Sequence, residues 1–316
     1  MLRFVLIRAA VAAVQGVAVL VAAFGLTALL PGDAAVVVLG EQATPEQIEV
    51  VRHQLGLDQP LVDRFLGWSG KLFSGDLGNS LVTGLPVTDE IGRRFASTAL
   101  LAGVTLLVLL PLAFSLGLAS GLREGSRTDR ALNVVTILLH SMPEFVLGLL
   151  LLAGLSVYFG LLPATAAGAS GLALLGRPAV LVLPVIVLVS RQLCDLARQI
   201  RIGVAEHTVG EPASHLRLLG LGERMVVLRH VLPNALAPIV QQLARSVEGL
   251  LGGAVIVESL FAISGLGTGF VEAVQNRDIP AVQGYALVFA AVVVTVNLCA
   301  DLISYRLTPR GQLVSR

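Results

Sequence analysis

The sequence predicts an all-α integral membrane protein with six transmembrane helices. Three observations predict it. The 316 residues are 55% hydrophobic and only 14% charged, where soluble domains sit nearer a quarter charged. Six apolar runs have spanning length, at roughly 9–30, 97–120, 131–158, 178–198, 236–258 and 281–305. At about 1.5 Å of rise per residue each can cross a hydrocarbon core of about 30 Å. Period-2 alternation is absent, and in lipid the only alternative to a closed barrel is a helix.

Arginine orders these elements. Of the 22 basic residues, all but Lys71 are Arg, and the formal net charge is +1. That balance gives no electrostatic case for nucleic acid. Arg3, Arg8, Arg123, Arg127, Arg130, Arg191, Arg198, Arg201, Arg217, Arg224, Arg229, Arg306, Arg310 and Arg316 fall on one set of segments, which the positive-inside rule makes cytoplasmic. Both termini are then expected inside, and residues 1–30 form a retained first span rather than a cleaved leader. Cys194 and Cys299 both fall in apolar runs, so a disulfide or zinc framework is not expected.

Residues 31–96 form the long outer segment. Thr44 is placed to cap a helix, with Pro45 at its first position, Gln47 completing a capping box and Gly56 ending it. A second amphipathic stretch runs from Pro60 to about Leu72, and "SGDLGNS" (74–80) makes a glycine-rich turn. These short helices suit the membrane surface, a docking surface or both. Residues 97–316 hold the remaining five spans.

Within the spans, Pro111, Pro143 and Pro184 mark expected kinks. Gly252 and Gly253 permit close helix contact. Glu144, Arg245 and Glu248 are costly at membrane depth and need partners or a wet cavity. Arg245 and Glu248, three residues apart, read as a neutralised pair that locks helices together, or as pathway lining that meets the charged termini of a peptide. Glu144 reads equally as pathway lining or as a packing partner. Asn297 and Asp301, one turn apart, read as a hydrogen-bonded pair. His140 and Glu144 are four apart on one face, with no third ligand at a matching spacing, so no metal centre is expected.

The longest cytoplasmic stretch runs from about 199 to 235. In "EPASHLRLLG" Pro212 opens a helix of about two turns and Gly220 stops it. A second short helix covers roughly Glu223 to Val231, ended by Pro233. Such exposed helices suit a partner's groove, or form a basic loop that only sets topology.

From Gly220, nine residues lead to "HVLP" (230–233). This spacing resembles the cytoplasmic Gly–nine residues–Ile-x-Leu-Pro motif of inner-membrane permease subunits of ATP-binding-cassette importers. His230 stands at the Ile position. Ser214, His215 and Leu216 stand where the general motif has Glu-Ala-Ala. "PGDAA" (31–35), "TPEQIEVVRHQLGLDQPL" (44–61), "GDLGNS" (75–80), "SMPEF" (141–145), "GGAVIVESLFAISGLG" (252–267), "NRDIPAVQG" (276–284) and "NLCADLISY" (297–305) extend the likeness. They resemble the first permease subunit of dipeptide, oligopeptide and nickel importers. Thr308, Pro309 and Arg310 stand where Asp-Pro-Arg is common.

The resemblance implies the type I importer permease fold in a bacterial inner membrane. It implies a second permease chain, two cytoplasmic ATPases that bind ATP and Mg, an extracytoplasmic binding protein and a small-peptide substrate. It also implies a coupling segment carrying Pro212, His215, Arg217, Gly220, His230, Pro233 and Asn234, with Asn234 capping the following span. No cofactor is expected in this chain, because it has no G-x-x-x-x-G-K-[ST] phosphate loop and Lys71 lies in "WSGKLF". A permease for nickel or another metal chelate fits the same motifs. A self-sufficient secondary transporter would call for inverted repeats, which the sequence does not show.

Overall fold

The computed structural model describes residues 2–28, 34–39, 43–54 and 58–307. Every regular element among them is helical. In chain order the α-helices are α1 (Leu2–Ala28), α2 (Ala34–Leu39), α3 (Pro45–Gln54), α4 (Leu61–Phe73), α5 (Val87–Gly121), α6 (Arg127–Ser141), α7 (Glu144–Leu151), α8 (Ala179–Val209), α9 (Glu211–Leu218), α10 (Glu223–Val226), α11 (Leu232–Phe261), α12 (Leu266–Gln275) and α13 (Ile279–Leu307). Among the described residues, four helices are long and apolar enough to cross a membrane, or up to six spans if each of two bent pairs is one.

The bent pairs are where chain chemistry overrides the apolar pattern. The third run is not one helix. Met142 and Pro143 interrupt it, and its two halves meet at 95°. Pro143 lacks an N–H and clashes with the preceding turn, so α6 ends and α7 restarts after it. His140 and Glu144 therefore do not share a helix face. Pro111 and Pro184, by contrast, stay inside the unbroken α5 and α8. The second bend, 78°, separates α11 from α12.

The core is built on α8, packed between α5 and α11. Leu183, Leu188, Leu196 and Ile200 of α8 are fully buried against Leu101 and Leu109 of α5 and Leu250 and Val257 of α11. Close approach of α5 and α8 requires small residues. A Cβ at Gly117 would lie 2.7 Å from Ile200 Cβ and 2.8 Å from the Ala197 carbonyl oxygen. At the far end of α5, Asp129 ties three helices together. It accepts from Arg201 Nε at 2.7 Å, from the Gly125 N–H at 3.0 Å and from the Ser120 hydroxyl.

α1 lies against α13. Phe4 stacks on Tyr305 at 4.2 Å, Arg8 pairs with Asp301 at 3.1 Å and Gln283 donates to Thr27 Oγ1 at 2.8 Å. The expected capping box of α3 is present: the Thr44 N–H donates to Gln47 Oε1 at 3.0 Å, and the Gln47 N–H to Thr44 Oγ1 at 3.4 Å. The Gly56 stop and the tail from Thr308 lie outside the described residues. α4 buries none of its residues fully, yet Phe65 and Trp68 gather around Phe24 of α1 at 5.4 and 5.8 Å. The turn at 74–80 forms with Gly75 and Gly78 in left-handed conformation. Asp278, buried before α13, accepts from Ser80 Oγ at 2.5 Å and from the Leu81 N–H at 3.1 Å.

Candidate coupling elbow and polar cavity

α9 begins after Gly210, with Glu211 and Pro212 in its first turn. Pro tolerates that position because the N–H it lacks would have no partner in the helix. The end is a Schellman motif. The Gly220 N–H donates to the Arg217 carbonyl at 2.9 Å and the Leu221 N–H to the Leu216 carbonyl at 3.2 Å. Gly220 has φ +82°, so the expected stop is in place. Leu216 and Leu221 both pack on the main core.

Arg217 locks the elbow. Its Nε and Nη2 donate to Glu223 at 2.8 and 2.7 Å, and its Nη1 donates to the Thr208 carbonyl at 2.7 Å. Those bonds to Glu223 push the guanidinium above its ordinary pKa. The side chain thus ties the end of α8, α9 and α10 together. What the elbow presents outward is Pro212, Ser214, His215 and two leucines, Leu218 at 86% and Leu219 at 63% exposure.

The second short helix does not end at Pro233. The chain stays helical from Glu223 to Phe261, passing through a π-helical turn at Val227–Val231. A widened turn accommodates Pro233, placed at the start of α11, without breaking the rod. Asn234 accordingly does not cap a helix. Its side-chain amide donates to the His230 carbonyl at 2.8 Å, one turn back.

The intramembrane charges also find other partners than their spacing suggests. Arg245 does not pair with Glu248. Its Nε and Nη2 donate to Gln242 Oε1 at 3.0 and 2.7 Å. Glu248 accepts instead from Asn297 of α13. Asn297 is thereby drawn away from Asp301, which pairs with Arg8 and accepts from Gln241 at 3.1 Å. For Glu248, Asn297 and Asp301, a side chain on a neighbouring helix displaces the partner on the same helix. Glu144 opens α7 and approaches Arg191 Nε at 3.9 Å. Gly253 makes room for it, since a Cβ there would lie 2.7 Å from Glu144 Oε2. At Gly252 a Cβ would meet nothing within 4 Å, so only one of the two glycines serves a close contact.

Between α8 and α11 lies a cavity of about 380 Å³ lined by Arg191, Gln192, Asp195, Arg198, Gln199, Gln242, Arg245 and Gly249. By sequence alone, Arg191 and Arg198 count among the topology-setting arginines. The signal for a lining role is their spacing from Asp195, four and three residues, which puts all three on one face of α8.

Sequence reasoning misses two further clusters. Glu258, with 0% exposure, accepts from Thr98 Oγ1 at 2.5 Å and from the Gly267 and Thr268 N–H groups at 2.8 and 3.2 Å. Thr98 Oγ1 also accepts from the Leu266 N–H at 2.8 Å. The first three N–H groups of α12 are thus satisfied from α5 and α11, which holds the 78° bend. The other cluster is His140, Cys194 and Asp195, whose ligand atoms lie within 4.8 Å of one another. Folding therefore brings two potential ligands to His140 from α8. Arg198 Nη2, however, donates to Cys194 Sγ at 3.6 Å, so a cationic group already occupies that position.

A bundle of long apolar helices with a braced, exposed elbow and a polar cavity defines a membrane transport component that works against a partner. The chain belongs to the family described as binding-protein-dependent transport system inner membrane component, whose model matches residues 87–311 and so begins where α5 begins. The N-terminal model of the same membrane component matches residues 1–116. The chain is 35% identical over 321 residues to the probable D,D-dipeptide transport system permease protein DdpB of Escherichia coli strain K12, covering 94% of this chain and 93% of that one. It is 32% identical over 281 residues to the glutathione transport system permease protein GsiC of Escherichia coli O6:H1, covering 89% of each. The GsiC of Pectobacterium atrosepticum is 33% identical over 291 residues, with 92% of each covered. The protein is thus a multi-pass inner-membrane permease subunit of an importer, with the all-α type I permease fold.

Proposed function

We propose that this chain forms half of the translocation pathway of a small-peptide importer and hands the work of ATP hydrolysis to partner ATPases. A second permease chain completes the pathway, and an extracytoplasmic binding protein delivers the peptide. Each bent pair counts as one span, giving six, with both termini and the elbow in the cytoplasm. The observation that carries the reading is the elbow. Two adjacent leucines, Leu218 and Leu219, are exposed at the end of a two-turn helix whose orientation is braced by Arg217. Exposed apolar side chains on a rigid polar support suit a groove in a soluble partner. The relatives' transport of glutathione and of dipeptides supports peptides as the cargo. A free divalent cation fits worse, because three arginines line the cavity.

The test is co-purification of the ATPase subunits with the double variant Leu218→Glu, Leu219→Glu. The expected result is loss of the ATPases with the second permease still bound. Retention of coupled ATPases would leave the elbow as a topology-setting loop. Orientation is checked separately with single cysteines at Glu46 and Ser214, both exposed. An impermeant thiol reagent is expected to reach them from opposite sides of the membrane. Labelling of both from one side would refute the six-span arrangement.

A further inference from the structure

We propose that the cavity between α8 and α11 selects small peptides of net negative charge, its guanidinium groups receiving the peptide carboxylates. This rests on the peptide-importer reading and names the class of peptide that the reading leaves open.

Elsewhere in the chain, carboxylates neutralise arginines at close range. Arg8, Arg94, Arg201 and Arg217 each have a carboxylate oxygen within 3.1 Å. The three cavity arginines are treated differently. Arg245 directs two donors at the neutral amide oxygen of Gln242. Arg198 donates to the Cys194 sulfur. Arg191 approaches Glu144 only at 3.9 Å. Among the described residues, neither Arg198 nor Arg245 has a carboxylate within ion-pairing distance. Their positive charge is held in place without being cancelled.

Depth makes this costly unless something else supplies the negative charge. Arg191 lies twelve residues past Ala179, about 18 Å along α8. Arg245 lies thirteen residues past Leu232, about 20 Å along α11. Charges at such depth face a water-filled pathway or a charged guest. The cavity of about 380 Å³ has the volume for a small peptide. Its lining carries three guanidiniums and one carboxylate, Asp195. With Arg191 paired to Glu144, two guanidiniums and Asp195 remain; a peptide with an acidic side chain carries two carboxylates and one ammonium, which is the complementary pattern. A neutral peptide leaves one more guanidinium unanswered, and a basic peptide adds repulsion. Guanidinium suits this task because its planar fork binds carboxylate in two-point fashion.

The experiment uses the whole importer in liposomes: both permeases, the ATPases and the binding protein. ATP-driven accumulation of labelled Ala-Glu, Ala-Gln and Ala-Lys is measured with the binding protein saturated by each peptide in turn. Differences in capture then drop out. The expected order is Ala-Glu, then Ala-Gln, then Ala-Lys. Arg245→Gln is expected to slow Ala-Glu about fivefold and leave Ala-Gln near the parent rate. Arg245→Lys should recover part of the Ala-Glu rate. Arg177→Gln, at the outer end of α8, should change neither. Equal rates for Ala-Glu and Ala-Gln in the parent would overturn the proposal. So would an equal loss for both peptides in Arg245→Gln, or failure of that variant to assemble, since either makes the arginine a packing residue. If the parent accumulates none of the three peptides, the peptide reading itself falls. Accumulation without charge preference overturns only the selectivity.

Discussion

Replacing Glu258 by alanine is expected to abolish accumulation of the assembled permease. Glu258 is fully buried and is the acceptor for the Thr98 hydroxyl and for the Gly267 and Thr268 N–H groups. Alanine leaves two backbone donors at the start of α12 without a partner, in a place water does not reach. An orphaned buried donor costs about 1–3 kcal/mol, so the pair costs about 2–6 kcal/mol. That is a large part of the roughly 5–15 kcal/mol typical of a folded domain. Glu258→Gln separates geometry from charge. Its oxygen can accept from the two N–H groups while its NH2 donates to Thr98 Oγ1, which has a second lone pair available. The amide variant should therefore accumulate near the parent level. The check is the yield of this chain on size exclusion after mild detergent extraction. Glu258→Gln failing as badly as Glu258→Ala would show that charge, and not the hydrogen-bond pattern, holds the bend.

The second large effect is expected at Gly220, and it falls on coupling rather than assembly. Gly220 has φ +82°, and a Cβ there would meet nothing within 4 Å. A side chain is penalised by the backbone alone, not by crowding within this chain. The left-handed conformation costs a residue with a Cβ roughly 1–2 kcal/mol. A β-branched residue suffers most, since φ above zero makes it a genuine outlier. Gly220→Val should open the Schellman turn and release the elbow from the orientation that Arg217 braces. The spans should still insert and the second permease should still bind. Substrate-stimulated ATP hydrolysis in liposomes should fall by about 5- to 30-fold, the range that one or two kcal/mol produces. Gly220→Asn is the informative companion, because Asn tolerates this conformation and is the common alternative at such a stop. Recovery of hydrolysis in Gly220→Asn would place the effect in the backbone. Gly220→Val coupling like the parent would remove the elbow from the mechanism.

Much of the elbow is legible in the amino-acid sequence. Pro212 and Gly220 are local devices: one lacks an N–H, the other lacks a Cβ, and each acts within a turn of its own position. The same locality explains why the Thr44–Gln47 capping box forms as its spacing predicts. Pro233 misleads for the opposite reason. A proline near a helix start is tolerated, and the π-helical turn at Val227–Val231 lets the rod continue through it. Arg217, by resemblance, belongs to a partner contact. Its neighbours within the chain, Glu223 and the Thr208 carbonyl, come to it only once α8, α9 and α10 fold back on each other.

By itself the sequence determined the membrane class, the apolar runs and the position of the stop at Gly220. Those follow from transfer free energy summed along a segment and from steric rules within a few residues. Tertiary structure alone decided which charges neutralise one another. Arg245 turns to Gln242 and not to Glu248, and Asn297 reaches Glu248 across to α11. It decided that Glu258 caps a helix begun eight residues later, and that Arg191, Asp195 and Arg198 face a second polar stripe on α11. A polar group in a membrane must find a partner, but the requirement does not say on which helix. That choice is made by side chains within about 3 Å of one another, a distance that spacing along the chain does not encode.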